Sequence, residues 1–423
     1  AKPVYSHVKT RETHADPDTR WMESYTYTSG LGQEVQTKVQ AEDGLAWILP
    51  ASGIPEQVET TDRWVATGRT ILNNKGKAVK QYEPWFSTTP DYEPETELTE
   101  YGVTPILHYD PLTRNIKTDF PDGTFTKVEF TPWEQKSYDQ NDNVLASQWY
   151  TLRSPGSPAS DEDKRAAQIT IPHNNTPQTQ YFDSMGRVFI VEDDNGTIDK
   201  YRVRNTLDIG GRPTMVTDAK GREMTRHFYA YKQPLYTQNI DSGKRWMVGD
   251  VAGKPIRAWN ERGHSFRNTY DILQRPLEMF VTENNTEKMV QKQEYGSDAA
   301  KNNIGQVVSV CSQDGKNYFN LFDFKNNLLT LVKRFAEDYQ NVLDWSGNVI
   351  LQSEEFTTQT TYDALNRPIT ITQPDTTVAS YVYNKGGLLE QVVHGATEYI
   401  SNINYNEKGQ RSDVYYGNNT KTK

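Results

Sequence analysis

Short apolar runs alternate with polar turns along most of the chain. The stretch YFDSMGRVFIVEDDNG (181–196) places an Asp three residues before a Gly twice, at Asp183/Gly186 and Asp193/Gly196. The runs VFIVE (188–192), PTMVT (213–217), PLEMFV (276–281) and PITIT (368–372) are β-rich and partly alternating, which predicts short strands. An Asp or Asn that opens a turn bonds its own backbone two residues on, and Gly or Asn at the fourth position accepts positive φ. Turn geometry therefore accounts for these carboxylates and glycines without a metal loop or an acidic catalytic pair.

The same signal recurs at Asp110, Asp139, Asp183, Asp208, Asp250, Asp271, Asp323, Asp344, Asp363, Asn384 and Asn406, often with a basic residue after the fourth position. Several gaps are close to 21 residues (250 to 271, 323 to 344, 363 to 384), and 208 to 250 is twice that, with FYAYKQP (228–234) as a degenerate copy between. A second turn follows ten residues on: Asp193 after Asp183, Asp218 after Asp208, Asn260 after Asp250. Pro213, Pro276 and Pro368 each follow an Arg, which suits a strand start where no ladder donor is needed. The predicted unit is strand, turn, strand, turn. It closes at about half the ~40–45 residues of a propeller blade, so the expected fold is all-β, a continuous array of stacked antiparallel hairpins stabilised by nearest neighbours.

The expected organisation is a strand-rich region over 1–100 leading into an array over 101–423. Ser29 to Gly32 and Asn73 to Gly76 are further turn units, so the array is expected to begin within the first hundred residues. Residues 81–105, with four prolines and several glutamates, read as an exposed excursion. Residues 151–180 read as an insertion with a helix capped by Ser160 and favoured by Asp161, Glu162 and Asp163 at its positive end. A further insertion is expected near 283–303.

The repeated Tyr-Asp-x-x-Gly-Arg unit resembles the signature of the YD-repeat, or Rhs, family over roughly residues 100–423. Upstream, SYTYTSGLGQEVQTKVQAEDG (24–44), RWVATGRTILNNKGKAVKQYEPWFS (63–87) and the stretch 101–150 are similar to the B component of bacterial ABC-type insecticidal toxin complexes, in the region after its propeller. The resemblance implies a spiral of hairpins forming part of a hollow shell around a toxic polypeptide. It also implies a C-component-like Rhs protein, or further Rhs repeats, as the partner that completes the shell. The family's autoproteolytic motif is absent after Asn406, so this chain is expected to be a wall segment that is not an enzyme, in a secreted protein.

Composition narrows the alternatives. Hydrophobic residues are only 35% of the 423, yet aromatics reach 11%, which argues against disorder. With 46 Lys and Arg against 56 Asp and Glu, the net charge of −10 gives no reason to expect nucleic acid. No apolar run approaches the ~18 residues of a membrane span, and the first residues show neither an initiator Met nor a signal-peptide pattern. The single cysteine, Cys311, sits in a strand-like run and reads as packing.

No catalytic, cofactor-binding or metal-ligating residue is nominated. The carboxylate pairs Asp193/Asp194 and Glu354/Glu355 and the run Asp161–Asp163 fall at turns or a helix start. DQNDNV (139–144) lacks the Gly and distal Glu of a calcium loop. His7, His14, His108, His173, His227, His264 and His394 are scattered, without zinc spacing. Aromatics two apart, such as Tyr25/Tyr27 and Tyr381/Tyr383, share a strand face and predict cross-strand ladders. The alternative function is a cell-surface adhesion or glycan-binding protein that uses those aromatics.

Overall fold

A computed structural model describes residues 3–30, 32–100, 102–197, 200–230 and 233–423. Its fold is all-β. Among the described residues, twenty-five strands from Ile106–Tyr109 to Lys421–Thr422 form one sheet whose spatial order is the order of the chain. Each strand pairs antiparallel with the next, for example Val188–Asp194 with Lys200–Leu207 and Phe356–Tyr362 with Pro368–Thr372. The continuous array expected from the spacing of the turns is thus what the chain forms, rather than separate blades.

The turns at Asp110, Asp183, Asp208, Asp250, Asp271, Asp323, Asp363, Asn384 and Asn406 close one edge of this sheet, since every second connection returns to the same side. At Asp183 the backbone N–H of Asp183 donates to Arg187 O (2.9 Å) and that of Gly186 to Asp183 O (2.9 Å), with Gly186 at φ 74°. This is a tight turn followed by a left-handed residue, which slips the ladder by one residue and adds local twist. The slip recurs just before the turns at Asp208, Asp363, Asn384 and Asn406. The left-handed position is filled by Asn366 and Asn326, but also by Thr113 (φ 67°) and Gln274 (φ 62°), where the preference for Gly or Asn is overridden.

A second sheet precedes the array. Its strand order is Val4–Arg11, Trp21–Thr28, Glu34–Ala41, Arg63–Ala66, Trp85–Ser87, Gly44–Ile48 and Glu56–Thr60. Ala41, Ala46 and Phe86 form one small buried cluster and Ala66, Trp85 and Leu98 another. Strands Thr70–Leu72 and Ala78–Gln81 form a hairpin of their own.

Several turn assignments need correction. The turns at Ser29–Gly32 and Asn73–Gly76 close as expected, but their strands belong to the first sheet and to the separate hairpin, so the array begins at Ile106. Asp193 lies in a strand opposite Tyr201, and the turn starts one residue later, where Asp194 accepts from Gly196 N–H at 2.9 Å. Asp139 opens a short 3-10 helix at Asn141–Ala146 instead of a hairpin. Asp344 sits in a loop after Leu328–Phe335 and reaches back to Met289 N–H (3.0 Å) rather than bridging two ladder strands. The stretch 283–303, expected as an insertion, contains strand Thr286–Tyr295 and then a short 3-10 helix, Ala299–Lys301. Asn284 and Asn285 both take positive φ and make the two-residue turn before the strand. The helix expected after Ser160 runs Asp161–Thr170, with the Ser160 hydroxyl accepting from Asp163 N–H at 3.2 Å.

The chain divides into two compact units. One comprises Ala1–Arg69, Tyr82–Tyr101 and Phe266–Lys423, and the other Thr70–Gln81 and Gly102–Ser265. Residue 100 therefore separates the two sheets but not the two units, because the first sheet packs on the last hairpins of the array.

Candidate functional site

Each Tyr–Asp turn is a clasp built from four residues. The Asp183 carboxylate accepts from the backbone N–H groups of Met185 (2.9 Å) and Arg187 (3.0 Å) through one oxygen. Its other oxygen accepts from Arg187 Nε at 2.7 Å. Asp208/Arg212, Asp271/Arg275 and Asp363/Arg367 repeat the arrangement, with Nε to carboxylate distances of 2.7, 2.7 and 2.6 Å. In Asp323 the partner is neutral, Asn327 Nδ2 at 2.8 Å.

The tyrosine that ends the following hairpin locks the clasp from above. The guanidinium of Arg212 lies 4.7 Å from the Tyr229 ring centre, that of Arg275 4.0 Å from Tyr295, and that of Arg367 4.1 Å from Tyr383. The three hydroxyls donate to the carbonyls of Pro213 (3.1 Å), Pro276 (3.0 Å) and Pro368 (3.0 Å). A tyrosine and an Arg-Pro pair are thus two halves of one joint between successive hairpins. The signal for this joint in the sequence is the recurrence of Arg-Pro at 212–213, 275–276 and 367–368 with a tyrosine 15 to 19 residues after each proline.

These contacts stabilise the ionised carboxylate. Backbone N–H donation from the basic residue is the largest cause holding Asp183, Asp208 and Asp271 below the usual carboxylate range, and at Asp218 the Arg222 side chain is. A lowered folded-state pKa adds stability that is present above the unfolded value of about 3.9 and is lost as pH falls from there through the lower folded value. Urea midpoints are therefore expected to hold from pH 7 to about 5 and to drop steeply below about pH 4. A midpoint unchanged at pH 3 would contradict the clasp.

In the unit that contains the last hairpins, three consecutive turn tips are covered by the first sheet and its flanking loops. At the Asp363 tip, Ala364 N–H donates to Glu12 O (2.7 Å) and Arg367 Nη2 reaches the Glu12 carboxylate (2.8 Å). At the next tip, Asn384 Nδ2 donates to Glu42 (3.0 Å) and Lys385 Nζ to Asp43 (2.5 Å). At the third, Lys408 pairs with Glu83 at 2.6 Å. A carboxylate meets each tip.

Behind that cover lies a charge the sequence did not flag. Lys38, on Glu34–Ala41, is fully buried. Its ammonium donates to Ser87 Oγ (2.8 Å) and pairs with Glu93, and the Ser87 hydroxyl lies 2.7 Å from the same Glu93 oxygen. The Gln36 side chain exchanges two 3.0 Å bonds with the Glu93 backbone. Burial pulls the Lys38 pKa down, and the adjacent Glu93 carboxylate opposes it. This network ties the loop after Ser87 to the sheet.

The residues considered for chemistry in the sequence are dispersed. Asp193 accepts from Gln178 (2.8 Å), while Asp194 pairs with Lys200, on the other face of the strand. Glu354 and Glu355 are exposed in a loop. Asp163 pairs with Arg153 at 3.2 Å beside the helix start. Cys311 is buried within Val307–Ser312, and burial raises its thiol pKa. Among the described residues no three His, Cys, Asp or Glu side chains could hold a metal. Clefts of about 400 and 390 Å³ lie in the second unit, the smaller lined by Asp139, Asp142, His173, Asp193 and Asp194, whose carboxylates are engaged with neighbouring amides and Lys200. Aromatics do form ladders: Phe228, Tyr236 and Trp246 sit on three adjacent strands with ring centres 5.4 and 5.5 Å apart.

No protein-family profile and no curated protein matches the chain. Solved structures do. The chain is similar to a chain of the crystal structure of TcdB2-TccC3 (22% identity, TM-score 0.87) and to one of TcdB2-TccC3-Cdc42 (22%, 0.87). It is also similar to a chain of the Photorhabdus luminescens Tc holotoxin pore carrying a TccC3 substitution (21%, 0.86). In each case 99% of this chain is covered but only 20 or 21% of the other, so it spans about a fifth of the chains it matches. The fold of this chain is that of Tc toxin chains, as the resemblance of its repeat implied.

Proposed function

We propose that this chain is a structural wall segment of an Rhs-type shell in a secreted bacterial toxin complex. In this role it helps to enclose a polypeptide cargo and performs no catalysis itself. The observation that carries the reading is the uninterrupted meander of clasped hairpins, matching a Tc toxin chain over 99% of its length at a TM-score of 0.87. Such a sheet offers extended faces, which suits containment. Its partner on this reading is a C-component-like Rhs protein, or further Rhs repeats, that closes the shell.

Protease protection tests it. The chain, within its natural polypeptide, is co-expressed with a C-component-like protein bearing a cargo, and the assembly is treated with protease. The cargo is expected to survive at least tenfold longer than when this chain is left out. Equal digestion would sink the proposal. The half-exposed ladder of Phe228, Tyr236 and Trp246 favours glycan binding as a second reading, and saturable binding of the isolated chain on a glycan array would support that instead.

A further inference from the structure

Loop 12–20 joins strands Val4–Arg11 and Trp21–Thr28 and lies against turn tips of the last hairpins, within one compact unit. Its base is closed by Glu12 N–H donating to Arg20 O (2.9 Å) and by Arg20 Nε donating to the Glu12 carboxylate (2.8 Å). Both residues also reach the array. Glu12 meets the Asp363 turn through Ala364 N–H and Arg367, and Arg20 Nη2 donates to Tyr383 O (2.7 Å), just before the Asn384 turn. The Asp323 turn is tied to the same place, since Lys325 bonds Ala364 O and Asn327 Nδ2 bonds Asn366 Oδ1 (2.9 Å).

One contact of this loop is different in kind. His14 sets its ring edge-on to Phe324, at the Asp323 tip, with ring centres 5.0 Å apart. Both ring nitrogens are shielded from solvent, and neither has a hydrogen-bond partner among the described residues. A neutral imidazole leaves one donor and one acceptor unmet there, whereas a protonated one leaves two donors and a charge. Arg11, from the strand before the loop, and Lys325, from the Asp323 turn, add positive charge nearby. The Asp323 and Asp363 carboxylates act on the ring as well, but each is committed to its own turn. Asp323 accepts from Lys325 N–H and from Asn327, and Asp363 from Leu365 N–H and Arg367. On the loop itself Glu12 and Arg20 answer each other, and Asp16 accepts from Asp18 N–H (2.9 Å). Burial first, then Arg11 and Lys325, hold the His14 pKa below its ordinary 6.5, against the pull of the two carboxylates.

We propose that loop 12–20 is an acid-released latch, in which a proton on His14 frees its ring from Phe324 and lifts Glu12 and Arg20 off the tips at Asp363 and Asn384. The released loop takes up that proton at the ordinary value of about 6.5, whereas the docked loop resists it. Docking is therefore present above that value and weakens as pH falls from there through the lower docked value. Asp183, Asp208 and Asp271, held below the usual carboxylate range, keep their charge through this window, so the hairpins stay formed while the loop lets go. Release leaves the ladder bonds in place and is read at the tip rather than in the unfolding midpoint. The latch operates whether or not the shell encloses cargo.

The test uses the full chain. Ring-proton NMR of the seven histidines is expected to show one in contact with Phe324 that titrates below 6.5. Hydrogen exchange at Ala364, corrected for the intrinsic pH dependence of amide exchange, is expected to lose at least fivefold in protection between pH 7.5 and pH 5. Strand Val188–Asp194 is expected to lose none. His14→Phe keeps a ring against Phe324 but takes no proton, and is expected to hold Ala364 protection within twofold over the same range. His394→Phe, at a histidine stacked on Tyr399 away from the loop, is expected to keep the wild-type response. A His14 ring that titrates at or above 6.5, wild-type protection at Ala364 that does not change with pH, or an equal loss in His14→Phe overturns the proposal. The first two outcomes need no variant, so poor folding of His14→Phe would not shelter it.

Discussion

Lys38→Ala is expected to destabilise the unit holding the first sheet by about 3–5 kcal/mol, the cost of leaving one member of a buried ion pair without its partner. Lys38 is fully buried and Glu93 nearly so, with 14% of its side chain exposed. Removing the ammonium leaves the carboxylate against Ser87 and the Trp85 ring, which lies 5.3 Å from Lys38 Nζ. Replacing both charges by neutral groups of similar shape, Lys38→Met with Glu93→Gln, is expected to recover most of the loss, because neither desolvated charge then remains. Urea titration gives the magnitude. Hydrogen exchange places it, with faster exchange expected in Glu34–Ala41 and Trp85–Ser87 and no change in Val188–Asp194. A loss below about 1 kcal/mol for the single variant would mean that the pair behaves as an exposed one.

That network also shows where the sequence stops being informative. Repeating hairpins were legible because their determinants are local: an Asp that satisfies its own turn, a residue that accepts positive φ, and a Pro where a strand starts. Those rules placed turns at Asp208, Asp218, Asp250 and Asn260, all of which close as expected. They failed at Asp139 and Asp344, where the same local preference nucleates a 3-10 helix and a folded-back loop. An Asp-led turn does not specify what its flanking chain pairs with. Lys38 was not legible, because in EVQTKVQA a lysine alternating with Val reads as solvent-facing. Only the loop carrying Glu93, which returns from 55 residues away, reverses its exposure. The docking of the first sheet on tips 363–406 is likewise long-range, joining Glu12 to Arg367 across 355 residues.

That same docking makes one copy of the repeat unlike the others. In an ordinary copy such as Asp218, the carboxylate serves its own turn and the pair with Arg222 is half open to water, with 54% of the Arg222 side chain exposed. Solvent replaces much of what an alanine there removes. Asp363 has the same bonds to Leu365 N–H, Arg367 N–H and Arg367 Nε, but its side chain is only 3% exposed and Arg367 only 16%. Asp363→Ala therefore strands two backbone donors and half-frees a guanidinium that also holds Glu12, the Gly387 carbonyl and the Tyr383 ring. The expected cost is about 3 kcal/mol, from a mostly buried guanidinium that loses one of its two carboxylates together with two unmet, partly buried N–H groups. Asp218→Ala is expected to lose only a small fraction of that. Asn, which keeps the turn-forming oxygen as Asn384 and Asn406 do, is expected to rescue Asp363 in part, restoring the backbone bonds but not the charge. Urea midpoints of the three variants decide the point. Equal losses at positions 218 and 363 would mean that the clasp acts only within its own turn, and that the cover supplied by the first sheet adds nothing to it.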